Sequence, residues 1–153
     1  MTSNDENKNL KKITIYTDGS CIGNPGRGGW GAILMYTDTN GKLHKKKIRG
    51  DDSFTTNNRM ELTAVIESLK NLKEKCNIDL YSDSKYVIEG ITKWVINWRK
   101  KKWKTSNKKP VQNQDLWQRL DEQVEKHNIN FHWVKGHAYD ELNNEVDELA
   151  RNG

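Results

Sequence analysis

The sequence predicts an α/β domain: a mixed five-stranded sheet, three antiparallel strands and then parallel ones, flanked by helices on both faces. Three observations carry this. Strand-like runs on either side of Asn40-Gly41 read as a hairpin in the first half of the chain. Segments with period-two and helical apolar spacing alternate through the second half. No internal repeat or linker divides the 153 residues, a length that suits one domain burying roughly 70% of its unfolded surface.

The elements follow in order. The opening "MTSNDENKNLKK" is polar and aperiodic and reads as a frayed tail over residues 1–11, before one folded domain over 12–153. Ile13 to Thr17 alternate as a first strand, ending at Asp18. "WGAILMYT" and "KLHKKKIRG" supply the second and third. Leu62, Val65, Ile66, Leu69 and Leu72 have helical spacing. "NIDLYSDS" reads as a fourth strand, and a helix begins at Ser84 with Val87, Ile88 and Ile91. "QDLWQRLDEQVEKH" is a further helix, "INFHWV" a fifth strand and "DELNNEVDELAR" a closing helix. Helices that link the later strands imply a sheet covered on both sides.

Composition narrows the function classes. The chain is 33% hydrophobic with no apolar run of membrane-spanning length, so no membrane partner is expected. Its two cysteines, Cys21 and Cys76, have neither metal-binding nor redox spacing and read as free thiols of the cytoplasm. The formal net charge of +5 is unevenly placed. Lys93 to Pro110, "KWVINWRKKKWKTSNKKP", holds the three tryptophans Trp94, Trp98 and Trp103 in a run of lysine and arginine with no acid. Helical spacing of Ile91, Trp94, Val95 and Trp98 assigns the tryptophans to packing rather than to stacking on bases. The lysines, Lys100, Lys101 and Lys102 among them, read as a phosphate-tracking arm, with a plain solvated face as the alternative.

Gly26, Gly28 and Gly31 form a literal G-x-G-x-x-G. A dinucleotide loop requires a helix to follow, whereas "AILMY" alternates as a strand, so the motif fails in context. The glycines are expected to allow a sharp turn and the close approach of a ligand, or simply to form a flexible hairpin loop.

The acids carry more. In "ITIYTDGS" and "IDLYSDSK" an alternating run ends in an aspartate followed by small residues, Asp18 and Asp83. On parallel neighbouring strands both would sit at the C-terminal ends, where open α/β sheets bind ligands. Singly, Asp18 could be a turn residue and Asp83 a helix N-cap. Glu61, in "TTNNRMELTAV", and Asp147, in "NNEVDELAR", each flank an apolar helical stripe; alone, Glu61 resembles the end of a capping box from Asn58 and Asp147 a solvated residue. Convergence of four carboxylates demands a cation, since each like pair at about 4 Å costs roughly 4 kcal/mol at an effective dielectric near 20. All-oxygen ligation selects Mg²⁺, with Mn²⁺ able to substitute, and two such ions about 4 Å apart serve phosphodiester cleavage.

"YTDGS", "TTNNRMEL", "YSDSKYV", "DLWQRLD" and "WVKGHA" occur in an order and at spacings that resemble cellular, bacterial-type (type 1) ribonuclease H from about Ile13 onward. The resemblance implies the ribonuclease H-like fold and hydrolysis of the RNA strand of an RNA–DNA hybrid duplex with two Mg²⁺ ions. It implies that Asp18, Glu61, Asp83 and Asp147 are metal-binding catalytic acids and that His137 assists proton transfer or product departure. It places Cys21, Asn24, Asn57 and Asn58 against the minor groove, where 2′-hydroxyls distinguish RNA. It makes Thr56 and Asn113 a pocket for a DNA phosphate, and the basic run at about 93–110 the protrusion of the cellular enzymes. Two positions depart from the family pattern: Lys85 stands where a hybrid-contacting glutamine is common, and Tyr139 where a glycine is usual. The expected product is a monomeric endonuclease leaving 3′-hydroxyl and 5′-phosphate ends. A non-catalytic hybrid-binding module is the alternative, and an integrase-like core a more distant one.

Overall fold

Strands β1 (Lys11–Cys21), β2 (Gly26–Thr37), β3 (Leu43–Thr55), β4 (Cys76–Ser82) and β5 (Asn128–Trp133) form one sheet in the order β3-β2-β1-β4-β5. They are joined by helices α1 (Asn57–Lys70), α2 (Lys85–Glu89), α3 (Val95–Lys100), α4 (Gln114–Glu125) and α5 (Glu141–Arg151). This is a computed structural model, and it describes residues 10–105, 107–135 and 141–151. β1, β2 and β3 are antiparallel in sequence, whereas β4 runs parallel to both β1 and β5. The β2–β3 loop closes as expected: Asp38 Oδ1 accepts the N–H groups of Asn40 and Lys42, and Gly41 takes the positive φ of 81° that the turn needs.

The period-two pattern of β1 sorts its side chains between two cores. Ile13 and Ile15 bury with Leu62, Leu69, Leu80 and Trp117 under α1 and α4. Tyr16 points the other way, with Ile33 of β2 and Val146 of α5. Asp18 shares the parity of Tyr16, as the alternation requires.

Two local expectations are corrected. β1 does not end at Asp18: it continues beside β2 to Cys21, with Asp18 opposite Gly31, while its pairing with β4 stops at Thr17–Ser82. Asp18 is therefore terminal only toward β4, because a long hairpin outruns its parallel neighbour. The glycine run is not a flexible hairpin loop: Gly26, Gly28, Gly29 and Gly31 belong to β2, and its bareness admits helix α5. A Cβ on Gly31 would stand 2.7 Å from Leu149 Cβ, and one on Gly29 2.2 Å from the Ala150 carbonyl oxygen. The helix expected from Ser84 forms, widened by a π-type turn, Gly90–Trp94, between α2 and α3. Gly90 lies flat on Trp117, whose ring would be 2.0 Å from an added Cβ.

The tryptophans of the basic segment pack inward, as their spacing predicts. Trp94, Trp98 and Trp103 form a ring chain with Trp117, at centroid distances of 5.3 to 6.5 Å. The segment closes through the Lys104–Pro110 bridge, leaving Lys100, Lys101 and Lys102 exposed on α3 and the turn after it.

Candidate active site

Where β4 stops pairing with β1, the two chains diverge into an open cleft of about 380 Å³. Asp18 follows the last β1 residue of that ladder and Asp83 the last of β4, so both carboxylates arrive at one edge. Glu61 comes from the second turn of α1, whose close approach to β1 depends on Gly19. A Cβ there would stand 2.4 Å from the Glu61 backbone nitrogen. Gly19 N–H donates to both Asp18 Oδ1, at 2.9 Å, and Glu61 Oε1, so one backbone group orients two acids. The carboxylates of Asp18, Glu61 and Asp83 each offer an oxygen, and all these oxygens lie within 4.8 Å of one another. Asp147 of α5 lines the same cleft, with its carboxylate paired to Arg151 one turn on.

The electrostatics follow from burial and crowding. Asp18 is 4% exposed, and desolvation, then the contacts with Asp147 and the charge of Asp83, push its carboxyl up to about 8. Glu61 is raised well above the usual range by burial and by the charges of Asp18 and Asp83. Burial also raises Asp83. Such a cluster is short of positive charge, and its donor set is hard oxygen. Cys21 borders the cleft, but its thiol faces the carbonyls of Gly26 and Thr55 at 3.6 and 3.4 Å.

The surrounding residues have definite local tasks. The N-cap of α1 is Thr56, which accepts from Arg59 N–H at 3.3 Å, so Glu61 is not the end of a capping box. Likewise Ser84, not Asp83, caps α2, by accepting from Val87 N–H at 3.2 Å. Asn24 Oδ1 accepts from Asn57 N–H at 2.9 Å, tying the β1–β2 loop to α1. Asn57 and Asn58 stand exposed in the first turn of α1, lining the cleft. Lys85 places its ammonium 4.8 Å from the centroid of Trp133, whose ring N–H donates to the Asp83 carbonyl at 3.0 Å. Asn113 lies at the start of α4, joined to Arg59 Nη1 at 3.3 Å. Lys100, Lys101 and Lys102 are on the separate basic arm. His137 and Tyr139 lie outside the described residues.

Sequence reasoning missed Gly19, Ser20, Ser84, Asn143 and Asn144, which also line the cleft. Asn143 carried a signal: it precedes Asp147 by four residues, one helical turn on the same face, and it is buried.

The architecture has counterparts. The RNase H family model matches residues 10–153. Ribonuclease HI of Haemophilus influenzae is 57% identical over 143 residues, covering 94% of this chain and 90% of that protein. Ribonuclease H of Agrobacterium fabrum is 53% identical over 144 residues, covering 94% and 95%. The crystal structure of LC9-RNase H1, a type 1 RNase H with the type 2 active-site motif, superposes with a TM-score of 0.86 at 30% identity, over 94% of this chain and 72% of that one. LC11-RNase H1, solved in complex with RNA/DNA hybrid, shares the fold at 23% identity and a TM-score of 0.65, over 92% and 95%. With the family match spanning nearly the whole sequence, and relatives above half identity over nine-tenths of it, the chain belongs to the ribonuclease H family.

Proposed function

We propose that this protein is a metal-dependent endonuclease that hydrolyses the RNA strand of RNA–DNA hybrids, leaving 3′-hydroxyl and 5′-phosphate ends. The observation that supports it most is the meeting of Asp18, Glu61 and Asp83 within 4.8 Å in an open cleft, with Asp147 lining its wall. Hard oxygen donors with raised proton affinity fit Mg²⁺ or Mn²⁺, and these four acids would hold two such ions. When bound, the ions would lower the pKa of water and stabilise the departing 3′ oxygen.

The chain's own residues supply position. Asp18 and Glu61 are held by a shared backbone N–H, and their burial keeps them from rotating toward solvent. Asn57, Asn58 and Cys21 line the cleft and Asn24 is bonded to Asn57; the minor groove of the hybrid would rest on these residues, its 2′-hydroxyls read through amide and backbone groups. Thr56 and Asn113 would seat a phosphate of the DNA strand, and Lys100, Lys101 and Lys102 would follow its backbone beyond the cleft. Lys85 is engaged with Trp133, so its contribution to the hybrid would be charge rather than the amide contact of the family pattern. His137 would assist either proton transfer, in which the attacking water loses a proton and the 3′ oxygen gains one as the P–O3′ bond breaks, or product departure. We read the protein as a cytoplasmic monomer with both cysteines free; no helix among the described residues is long and apolar enough to cross a membrane.

The test is a cleavage assay on hybrid, duplex DNA, duplex RNA and single strands, with Mg²⁺, Mn²⁺ or excess chelator. Cleavage confined to the RNA of the hybrid and abolished by chelation is expected. Binding of hybrid without turnover would establish the non-catalytic module instead, and equal cutting of every substrate would refute the proposal.

A further inference from the structure

We propose that Tyr86 is a positioning residue that orients the amide of Asn113 for the DNA strand of the hybrid; this rests on the assignment of Asn113 to the phosphate pocket. Asn113 begins α4 in the left-handed conformation, φ 60° and ψ 28°. An asparagine at that place ordinarily caps its own helix, yet its side chain makes no capping bond. The amide is engaged elsewhere: Nδ2 donates to the Tyr86 hydroxyl at 3.1 Å, and Oδ1 accepts from Arg59 Nη1 at 3.3 Å.

Donor chemistry fixes this orientation. A guanidinium only donates, so the amide oxygen must face Arg59. The indole N–H of Trp117 donates to the Tyr86 hydroxyl at 2.9 Å, and the second lone pair of that oxygen receives the amide. One N–H of Asn113 remains for an anion. Neither anchor is loose. The Tyr86 ring packs against Trp94 and Trp117 at 5.8 and 5.2 Å. Arg59 is clamped by both oxygens of Asp115, at 3.0 and 2.7 Å, so its charge is already matched and it acts as scaffold. Tyr86 also stands three residues after Asp83, on the short helix capped by Ser84. One rigid turn thus sets both a candidate catalytic acid and the donor that would grip the substrate. Without the hydroxyl, the Asn113 amide would keep only its Arg59 bond, and its nitrogen would be free to turn away from the phosphate.

A double-mutant cycle on hybrid binding, measured by fluorescence anisotropy in excess chelator, tests this. Tyr86→Phe, which keeps the ring, is expected to weaken binding about five- to tenfold, and to raise KM by a like factor with kcat at saturating hybrid within about twofold. In an Asn113→Ala background the same change should have no further effect. Equal weakening in both backgrounds, or none in the native one while Asn113→Ala alone weakens binding, would overturn the inference and leave the pocket assignment standing. Unchanged binding in Asn113→Ala would remove the pocket assignment itself.

Discussion

Replacing Asp18 by Asn separates the cost of the acidic cluster from its use. The carboxylates of Asp18, Glu61 and Asp83 approach within 4.8 Å, and at an effective dielectric near 20 an ionised pair at that distance costs about 3–4 kcal/mol. Water in the open cleft and partial protonation reduce what the metal-free protein bears to about 2 kcal/mol, which in a domain of this size is a rise in Tm of about 4–8 °C. Asparagine keeps the oxygen that accepts Gly19 N–H at 2.9 Å, so the local geometry survives. The pH dependence carries a sign. The Asp18 carboxyl is raised from 3.8 to about 8, so between those values the folded protein holds a proton that the unfolded chain has lost. Stability of the native sequence then falls as pH rises from 4 to 8. The advantage of Asp18→Asn should be near zero at pH 4 and largest at pH 8 and above. Thermal melts in chelator across that range, beside hybrid cleavage in Mg²⁺, give both readings: higher Tm, no cleavage. A variant that melts several degrees lower at pH 8 would refute the repulsion argument.

Gly19→Ala drives a methyl against the Glu61 nitrogen at 2.4 Å, so α1 must withdraw from β1. The expected cost of about 2–4 kcal/mol should lower the urea midpoint by about 1–2 M, and an unchanged midpoint would deny the close approach. Replacing Lys100, Lys101 and Lys102 together by Ala should weaken hybrid binding and reduce the slope of log K against log salt by about 2–3, read from a salt titration. An unaltered slope would make the run an ordinary solvated face. His127 is buried, its Nδ1 accepts Cys76 N–H at 3.1 Å, and desolvation followed by the charges of Lys126 and Lys75 lowers its pKa. Its contribution to stability is present above about pH 6.5 and lost as pH falls through the lowered value. His127→Gln should flatten that part of a urea-denaturation pH profile, and a profile identical to that of the native protein would contradict it.

Much of this was readable because β-strand period and chemistry coincide in β1 and β4. The same alternation that buries Ile15 and Leu80 delivers Asp18 and Asp83 to one sheet edge, and the Asn40-Gly41 turn sets the antiparallel half. The tryptophan spacing likewise foretold packing against Trp117. What escaped depends on contacts between distant segments. That the glycines of β2 admit α5 requires knowing that a helix more than a hundred residues later lies across them. The Asn58–Glu61 spacing suggested a local cap, whereas the tertiary contact with Gly19 decides where Glu61 points. The close packing of Gly90 on Trp117 in the wide turn between α2 and α3, and the Tyr86–Asn113 bond that spans 27 positions, are likewise tertiary. The pairing of Asp147 with Arg151 is an i, i+4 contact, visible in the sequence as a possibility but not as a choice over the cleft.

The most direct measurement is anomalous diffraction at the manganese edge from crystals grown in Mn²⁺. Two peaks are expected, both ligated by oxygens of Asp18, Glu61, Asp83 and Asp147. Carboxylates turned apart, with no peak among them, would contradict it.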